Sequence, residues 1–332
     1  IRLGAEGGLF GASTSFAPGS SATSSVALED VNGDGTLDLI SAGGGAALIR
    51  IGRGDGSFGA ALSYAADGTL TNALTMSDLN GDGILDLITG GQAASVGVAS
   101  IRLGLGDGTF GARSSYQMEG SNTRSVKTAD LNGDGNMELI SAGIFSGTGR
   151  ATVRLGQGDG SFGTAISYTM DGSQSSSVAL GDLNGDGILD LVTGGIGGGI
   201  SRTTVRLGAG NGTFGAVASY NMGGTAAYGN TLADVNGDGF LDSITGGAGT
   251  SATVSVALGA GDGTFRTAVT FTNANSFFYA TTAADITGDG VLDLIAAGFG
   301  GNGASVFLAN TQSGAAPLLP FSLATMSGAR QA

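Results

Sequence analysis

The residues with the clearest capacity for chemistry are acids at a fixed spacing. The segment Asp30-Val31-Asn32-Gly33-Asp34-Gly35-Thr36-Leu37-Asp38 carries oxygen side chains at its first, third, fifth and ninth positions, and versions of it begin again at Asp78, Asp130, Asp182, Asp234 and Asp285. Oxygens at alternate positions of a tight turn converge on one point, and the sixth-position glycine (Gly35, Gly83, Gly135, Gly187, Gly239, Gly290) supplies the positive φ that such a turn needs. Three carboxylates crowded together repel one another unless a cation neutralises them. Calcium, with about six to eight hard oxygen ligands in loose geometry, is the ion expected; magnesium would want a stricter octahedron. The bland alternative is an Asx-rich turn without metal.

Up to six calcium sites are therefore expected, each using side chains at the first, third, fifth and ninth positions, the backbone carbonyl of the seventh, and water. In the first loop these are Asp30, Asn32, Asp34, Thr36 and Asp38, and in the second Asp78, Asn80, Asp82, Ile84 and Asp86. The third offers Asp130, Asn132, Asp134, Asn136 and Glu138; the fourth offers Asp182, Asn184, Asp186, Ile188 and Asp190. The fifth offers Asp234, Asn236, Asp238, Phe240 and Asp242, and the sixth Asp285, Thr287, Asp289, Val291 and Asp293. An EF-hand is excluded, because its twelfth-position glutamate is replaced by Ser41, Thr89, Ser141, Thr193, Thr245 and Ala296.

Other chemistry has little to stand on. The chain has no Cys and no His, which removes thiolate chemistry, the usual general base and the common forms of hydrolase triad. It has no Trp for sugar stacking. Eighteen of its 27 acids lie in the six loops, and four of the remaining nine (Asp55, Asp107, Asp159, Asp262) occupy one repeated turn, so no unique carboxylate pair emerges for glycoside hydrolysis. No enzyme is expected. Thirteen bases, only one a lysine (Lys127), on a chain of net charge −14 argue against nucleic acid as a partner. No stretch reaches the roughly 18 to 20 apolar residues needed to span a bilayer, so no membrane insertion is expected.

The elements that must hold the loops follow from the period. Of 332 residues 66 are glycine and only three are proline, without the every-third spacing of collagen, while 41% apolar residues are enough for a folded core. The loops recur at intervals of 48, 52, 52, 52 and 51, in phase with Phe10, Phe58, Phe110, Phe162, Phe214 and Phe265 and with the aromatics Phe16, Tyr64, Tyr116, Tyr168, Tyr220 and Phe271. Within a unit, Leu37, Leu39 and Ile40 follow the loop, Ile49-Arg50-Ile51 precedes the hairpin turn Gly54-Asp55-Gly56, and Ala61-Leu62-Ser63-Tyr64 reads as another strand. Four short strands per unit, with no helical period, predict an all-β fold: a β-propeller of four-stranded blades. Counting the Ile1 to Gly4 and Val306 to Ala309 strands gives a seven-bladed plan with one incomplete blade, with six blades as the alternative. Residues 1–316 are assigned to the propeller and 317–332 to a tail leading to a strand or the start of a helix. An opening at Ile1, inside a repeat, points to a processed chain or an excerpt.

These motifs resemble the FG-GAP repeat family, the calcium-binding propeller blades of integrin α-chains and of many bacterial surface proteins. The resemblance rests on the acidic loop and on the Phe-Gly pair, as in Ser57-Phe58-Gly59-Ala60, and runs through nearly the whole chain. It implies a loop between the first and second strands of each blade, with the sites around one rim. Thr287, Glu138 and Arg266 depart from the pattern. The tail Ser322 to Ala332 is similar, over about ten residues, to the segment leading into the C-terminal helices of bacterial flagellins.

Three further features have both a functional and a structural reading. Arg53-Gly54-Asp55 is an integrin-ligand tripeptide, yet its Arg stands where Leu105, Gln157 and Ala260 stand in equivalent turns. Asn211-Gly212-Thr213 fits a glycosylation sequon but replaces the same Gly-Asp-Gly turn. Arg2, Arg50, Arg102, Arg154 and Arg206 recur in phase, either as an anion-binding ring or as buried struts between blades. The function expected is a non-catalytic, calcium-binding propeller outside a bacterial cell, recognising a surface protein or glycan. The alternatives are an outward-facing domain of a filament, with like subunits as partners, and a lectin.

Overall fold

The structure is a computed structural model, and it describes residues 4–5, 9–10, 14–16, 23–249, 251–273, 277–299, 304–309 and 321–324. No helix occurs among them. The chain forms six four-stranded antiparallel sheets, each with its strands in sequence order, and a two-stranded pair of Gly4–Ala5 with Leu9–Phe10. Sheet I comprises Ser25–Glu29, Asp38–Gly43, Ala46–Arg50 and Leu62–Ala65; sheet II comprises Leu70–Ser77, Asp86–Ala93, Val96–Gly104 and Phe110–Gln117. Sheet III comprises Asn122–Ala129, Glu138–Phe145, Thr148–Gly156 and Phe162–Thr169, and sheet IV Gln174–Gly181, Asp190–Gly197, Ile200–Gly208 and Phe214–Asn221. Sheet V comprises Ala226–Ala233, Asp242–Ala248, Ala252–Ala257 and Val269–Asn273, and sheet VI Phe277–Ala284, Asp293–Phe299, Ala304–Ala309 and Phe321–Ala324. Of the two expectations for the tail, Phe321–Ala324 is a strand paired with Ala304–Ala309. Residues 1–3, Arg2 among them, and residues 317–320 and 325–332 of the tail lie outside the described residues.

The chain divides into two compact units, one built mainly on Phe10–Met170 and the other mainly on Asp171–Ala209 and Phe214–Ala332. In both units the core lies between successive sheets. In the first unit Ile40, Ile49, Leu74, Leu87 and Phe110 pack between sheets I and II, and Ile88, Ile101, Val126, Leu139 and Phe162 between sheets II and III. In the second, Val192, Val205, Ala257 and Phe265 join sheets IV and V, and Ile244, Val254, Phe278, Leu294 and Phe307 join sheets V and VI. Sheets II to V thus bury both faces of their second strands, which is the packing of a propeller blade, and removing this apolar surface from water is the main stabilising term.

The repeated aromatics belong to this packing. Phe58 meets Phe16, Phe110 meets Tyr64, Phe162 meets Tyr116 and Phe265 meets Tyr220, all edge-on with centroids 5.3 to 5.5 Å apart. In these four repeats the Phe that follows the hairpin docks on the aromatic of the preceding repeat.

In sheets I to IV the second and third strands are joined by two-residue turns with positive φ at both positions, as at Gly44-Gly45, Ser146-Gly147 and Gly198-Gly199, the turn type whose twist matches antiparallel strands. Ala94 and Ser95 adopt it at φ 46° and 67° without glycine, and Ser146 at 46°. These turns mark one end of each sheet. The acidic loops and the Gly-Asp-Gly hairpins mark the other, because loops joining first to second and third to fourth antiparallel strands fall at the same end.

Candidate metal centre

Each acidic loop connects the first strand of a sheet to the second, and its ninth residue is the first residue of that second strand. This places the loop's acids in two different environments. Asp38, Asp86, Glu138, Asp190, Asp242 and Asp293 are fully buried, whereas the fifth-position acids are exposed and the first-position acids half-buried, apart from the exposed Asp285.

The buried ninth acid is a latch. Asp86 Oδ2 accepts the Leu79 N–H at 2.8 Å and Oδ1 accepts the Gly104 N–H at 2.8 Å, tying the start of the loop to the end of the third strand. The same pair of bonds is made by Asp38 to Val31 and Gly52, by Asp190 to Leu183 and Gly208, by Asp242 to Val235 and Gly259, and by Asp293 to Ile286 and Ala309. Its glycine partner is required for space: a Cβ on Gly104 would stand 2.4 Å from the Leu85 carbonyl oxygen. Sequence reasoning counted these acids as ligands and missed the latch, since nothing local links residue 86 to residue 104.

Glu138 departs from the rule. Its Oε2 accepts the Leu131 N–H at 2.5 Å, and its Oε1 is buried with no hydrogen-bond partner. Burial raises the carboxyl pKa of Asp86, Glu138 and Asp190, and pushes that of Asp242 up to about 6; the neighbouring loop carboxylates add to the shift in each case.

The first acid closes the turn. Asp78 Oδ1 accepts the N–H of Gly81 at 2.8 Å, and its Oδ2 accepts that of Gly83 at 2.8 Å. Equivalent bonds form at Asp30, Asp130, Asp182, Asp234 and Asp285. Slight burial works against the charge of Asp78, Asp130 and Asp182, but the ring of backbone N–H donors outweighs it and holds their carboxyls below the usual range. The fifth acid accepts from two sides: Asp82 Oδ1 takes the Ile84 N–H and Oδ2 takes the Asn80 amide, both at 2.8 Å.

Among the described residues no three acidic side chains converge tightly enough to grip an ion. The loops stand as hydrogen-bonded Asx turns, in which Asn32, Asn80, Asn132, Asn184 and Asn236 bridge to the fifth acid through their amide nitrogen. The donor set nevertheless suits a hard cation. It consists only of oxygen: an exposed fifth carboxylate, a first carboxylate that is half-buried in all but the last loop, an amide or hydroxyl oxygen reachable by an amide flip or rotation, a carbonyl, and a buried ninth carboxylate. In the third loop the unpartnered Glu138 Oε1 is an acceptor that a cation would satisfy. Thr287 provides a hydroxyl, now turned to Asp285 Oδ1 at 3.5 Å.

The other candidate residues resolve into structural roles. Arg50, Arg102, Arg154 and Arg206 donate Nη1 to the carbonyls of Gly59, Gly111, Gly163 and Gly215 within their own sheets. Arg102 also donates to Ala65 and lies 5.4 Å from the Tyr64 ring centre; Arg154 donates to Gln117 and lies 5.6 Å from that of Tyr116. Arg102 and Arg154 are thus struts between neighbouring sheets. Arg53-Gly54-Asp55 makes the same turn as its equivalents, with the Arg53 N–H on the Ser57 carbonyl at 3.1 Å. Asn211 takes the aspartate's place there, its Oδ1 accepting from the Thr213 N–H and hydroxyl.

Comparison with known proteins bears on the repeats. An FG-GAP-like repeat model matches residues 30–89, 78–141 and 130–193, and an FG-GAP repeat model matches residues 175–219, so that together they span more than half of the chain. Among solved structures, the BP39L lectin from Burkholderia pseudomallei superposes with a TM-score of 0.62 at 15% identity, covering 86% of this chain and 80% of that one. A protein from Lactobacillus plantarum superposes with a TM-score of 0.54 at 15% identity, covering 84% and 77%. At that identity the likeness is one of fold. No curated protein matches the sequence significantly.

Proposed function

From the premise that the chain belongs to the FG-GAP repeat family and has its all-β propeller fold, we propose that it is a non-catalytic, calcium-binding recognition module displayed outside the cell, where it holds a protein or glycan partner. The observation that carries this reading is the sixfold recurrence of a loop with an exposed fifth carboxylate beside a partly exposed first one at one end of each sheet, above a buried ninth acid. When bound, calcium supplies the positive charge that offsets these carboxylates. The chain's own part is to set their positions: the first acid is fixed by backbone N–H groups, the ninth by the latch, and the Asn or Thr between them turns its oxygen inward.

The net charge of −14 fits this reading, since outside the loops nine acids stand against thirteen bases. The acidity is then an inventory of metal ligands rather than a surface for a cationic partner. Extracellular calcium is abundant enough to fill sites of modest affinity, about 10⁻⁴ to 10⁻³ M in extracellular modules. The absence of His and Cys from the sequence supports a binding rather than a catalytic role.

The test is scanning calorimetry in calcium and in EDTA, with isothermal titration for stoichiometry. A melting temperature that rises with calcium and falls with chelator is expected. Indifference to both would remove the metal from the reading.

A further inference from the structure

Six Asn-Gly bonds lie among the described residues, five of them at the third position of an acidic loop and one, Asn211-Gly212, in a hairpin turn. An asparagine followed by glycine carries a reaction of its own. The glycine amide nitrogen can attack the side-chain Cγ and expel the amide nitrogen, because the glycine has no Cβ to block the approach. In a folded chain the outcome depends on what holds three atoms: the attacking nitrogen, the carbonyl oxygen and the leaving nitrogen.

In the five loops all three are held. The N–H groups of Gly33, Gly81, Gly133, Gly185 and Gly237 donate to the first acid at 2.7 to 2.8 Å. The asparagine amide nitrogens donate to the fifth acid at 2.8 to 3.0 Å, and the amide oxygens accept that residue's N–H. A carboxylate on the attacking N–H opposes the loss of its proton, through the bond that would be forfeited and through its charge.

Asn211 is held at its oxygen only. Oδ1 accepts the Thr213 N–H at 3.1 Å and the Thr213 hydroxyl at 2.6 Å, which folds the side chain back over Gly212 in an Asx turn. Two donors on that oxygen also stabilise the negative charge it acquires when nitrogen adds to Cγ. Among the described residues Asn211 Nδ2 has no hydrogen-bond partner and the Gly212 N–H has no acceptor. In equivalent turns the Gly160 and Gly263 N–H groups donate to the Leu79 and Leu183 carbonyls at 3.2 and 3.0 Å. Asn211 is exposed, so water reaches its amide.

The turn also suits the product. Asp55, Asp107, Asp159 and Asp262 stand where Asn211 stands, and Asp107 and Asp262 make the same two bonds to the N–H and hydroxyl of Thr109 and Thr264.

We propose that Asn211-Gly212 is a modification site, at which the folded chain deamidates with water as the only co-reactant. Gly212 N gives its proton to solvent base and bonds to Cγ; the Cγ–Nδ2 bond breaks, and Nδ2 takes up a proton and leaves as ammonia. Water then opens the succinimide at Cγ to give aspartate, or at the main-chain carbonyl to give isoaspartate. The net change is asparagine plus water to aspartate plus ammonia, without oxidation or reduction. The aspartate product converts Gly210-Asn211-Gly212 to the Gly-Asp-Gly of its sibling turns and adds one negative charge. None of this rests on calcium in the loops.

The test is incubation of the full chain in warm, mildly alkaline EDTA buffer, folded and in urea, with peptide mapping by mass spectrometry over time. In urea the six bonds are expected to react at similar rates. In the folded chain the five loop asparagines are expected to slow about tenfold or more, because each attacking N–H keeps a charged acceptor, while Asn211 reacts at about its unfolded rate. Thr213→Val, which removes the hydroxyl donor and leaves the N–H, is expected to slow Asn211 about threefold or more in the folded chain. Asn211→Asp, which carries the product, is expected to melt no lower than the unaltered chain. Asn211 slowed by folding as much as the loop asparagines, loop asparagines reacting as fast as Asn211, an unchanged rate in Thr213→Val, or a lower melting temperature for Asn211→Asp would each overturn the proposal.

Discussion

Tyr64 Oη accepts the backbone N–H of Phe110 at 3.1 Å while the two rings meet edge-on, 5.4 Å apart. One tyrosine thus holds the next sheet by its hydroxyl and by its ring. Phe110→Ala should destabilise the first unit by about 3–5 kcal/mol, as a large core truncation does. Tyr64→Phe keeps the ring contact and removes one hydrogen bond, for a loss of about 1 kcal/mol. Urea denaturation of both variants checks this; equal losses would show that the ring packing is not the main term.

Gly104 and Gly111 should respond oppositely to alanine. A Cβ at Gly104 meets the Leu85 carbonyl at 2.4 Å, while one at Gly111 meets the Leu103 carbonyl at 3.5 Å, an ordinary contact. Gly104→Ala should cost about 1–3 kcal/mol or more through overpacking, and Gly111→Ala should be tolerated. The second half explains Arg266, which follows Phe265 where other repeats have glycine. Thermal melts in the same buffer suffice to compare them.

Latch and ligand separate by their dependence on calcium. Asp86→Ala removes the acceptor of two buried N–H groups and should lower stability by about 1–3 kcal/mol for each, in EDTA as well as in calcium. Asp82→Asn keeps an acceptor for the Ile84 N–H but removes the charge of the loop's exposed acid. It should reduce the calcium stoichiometry by one site and leave the melting temperature in EDTA nearly unchanged. Titration calorimetry with melts in both buffers distinguishes the two; identical behaviour would refute the division of roles.

The hairpin aspartates should contribute to acid lability. Asp107 and Asp262 are held below the usual carboxyl range, first by the hydroxyls of Thr109 and Thr264 and then by the same residues' N–H groups. A carboxyl whose pKa is depressed by folding stabilises the fold above its unfolded pKa, and the contribution disappears as pH falls through the folded value. The stability of the unaltered chain in EDTA should therefore fall more steeply below about pH 4 than that of an Asp107→Asn, Asp262→Asn double variant. Denaturation midpoints across the acid range give the comparison, and parallel curves would contradict it.

The repeat, the strands, the hairpins and the acidic loops were legible in the sequence because each is set by neighbours in the chain. Glycine at the sixth loop position and in Gly54-Asp55-Gly56 takes the positive φ expected of it, and the fifth loop acids are exposed. The ninth acid was legible by type but not by role. Asp38 serves Gly52, and Asp86 serves Gly104, because antiparallel registry brings the end of the third strand beside the start of the second. The arginines were equally visible and equally ambiguous until Ala65 and Gln117, in the preceding sheet, proved to be their partners.

Sequence alone therefore determined the family, the unit of the fold and the oxygen-rich loops, since local turn chemistry and a period near 52 residues are written along the chain. Only the tertiary structure decided which acid is buried, which aromatic meets which, and which carbonyls the arginines reach. Those outcomes depend on strand register and on the face each sheet turns to its neighbour. A side chain's partner across that interface lies tens of residues away, and no local pattern encodes the distance between them.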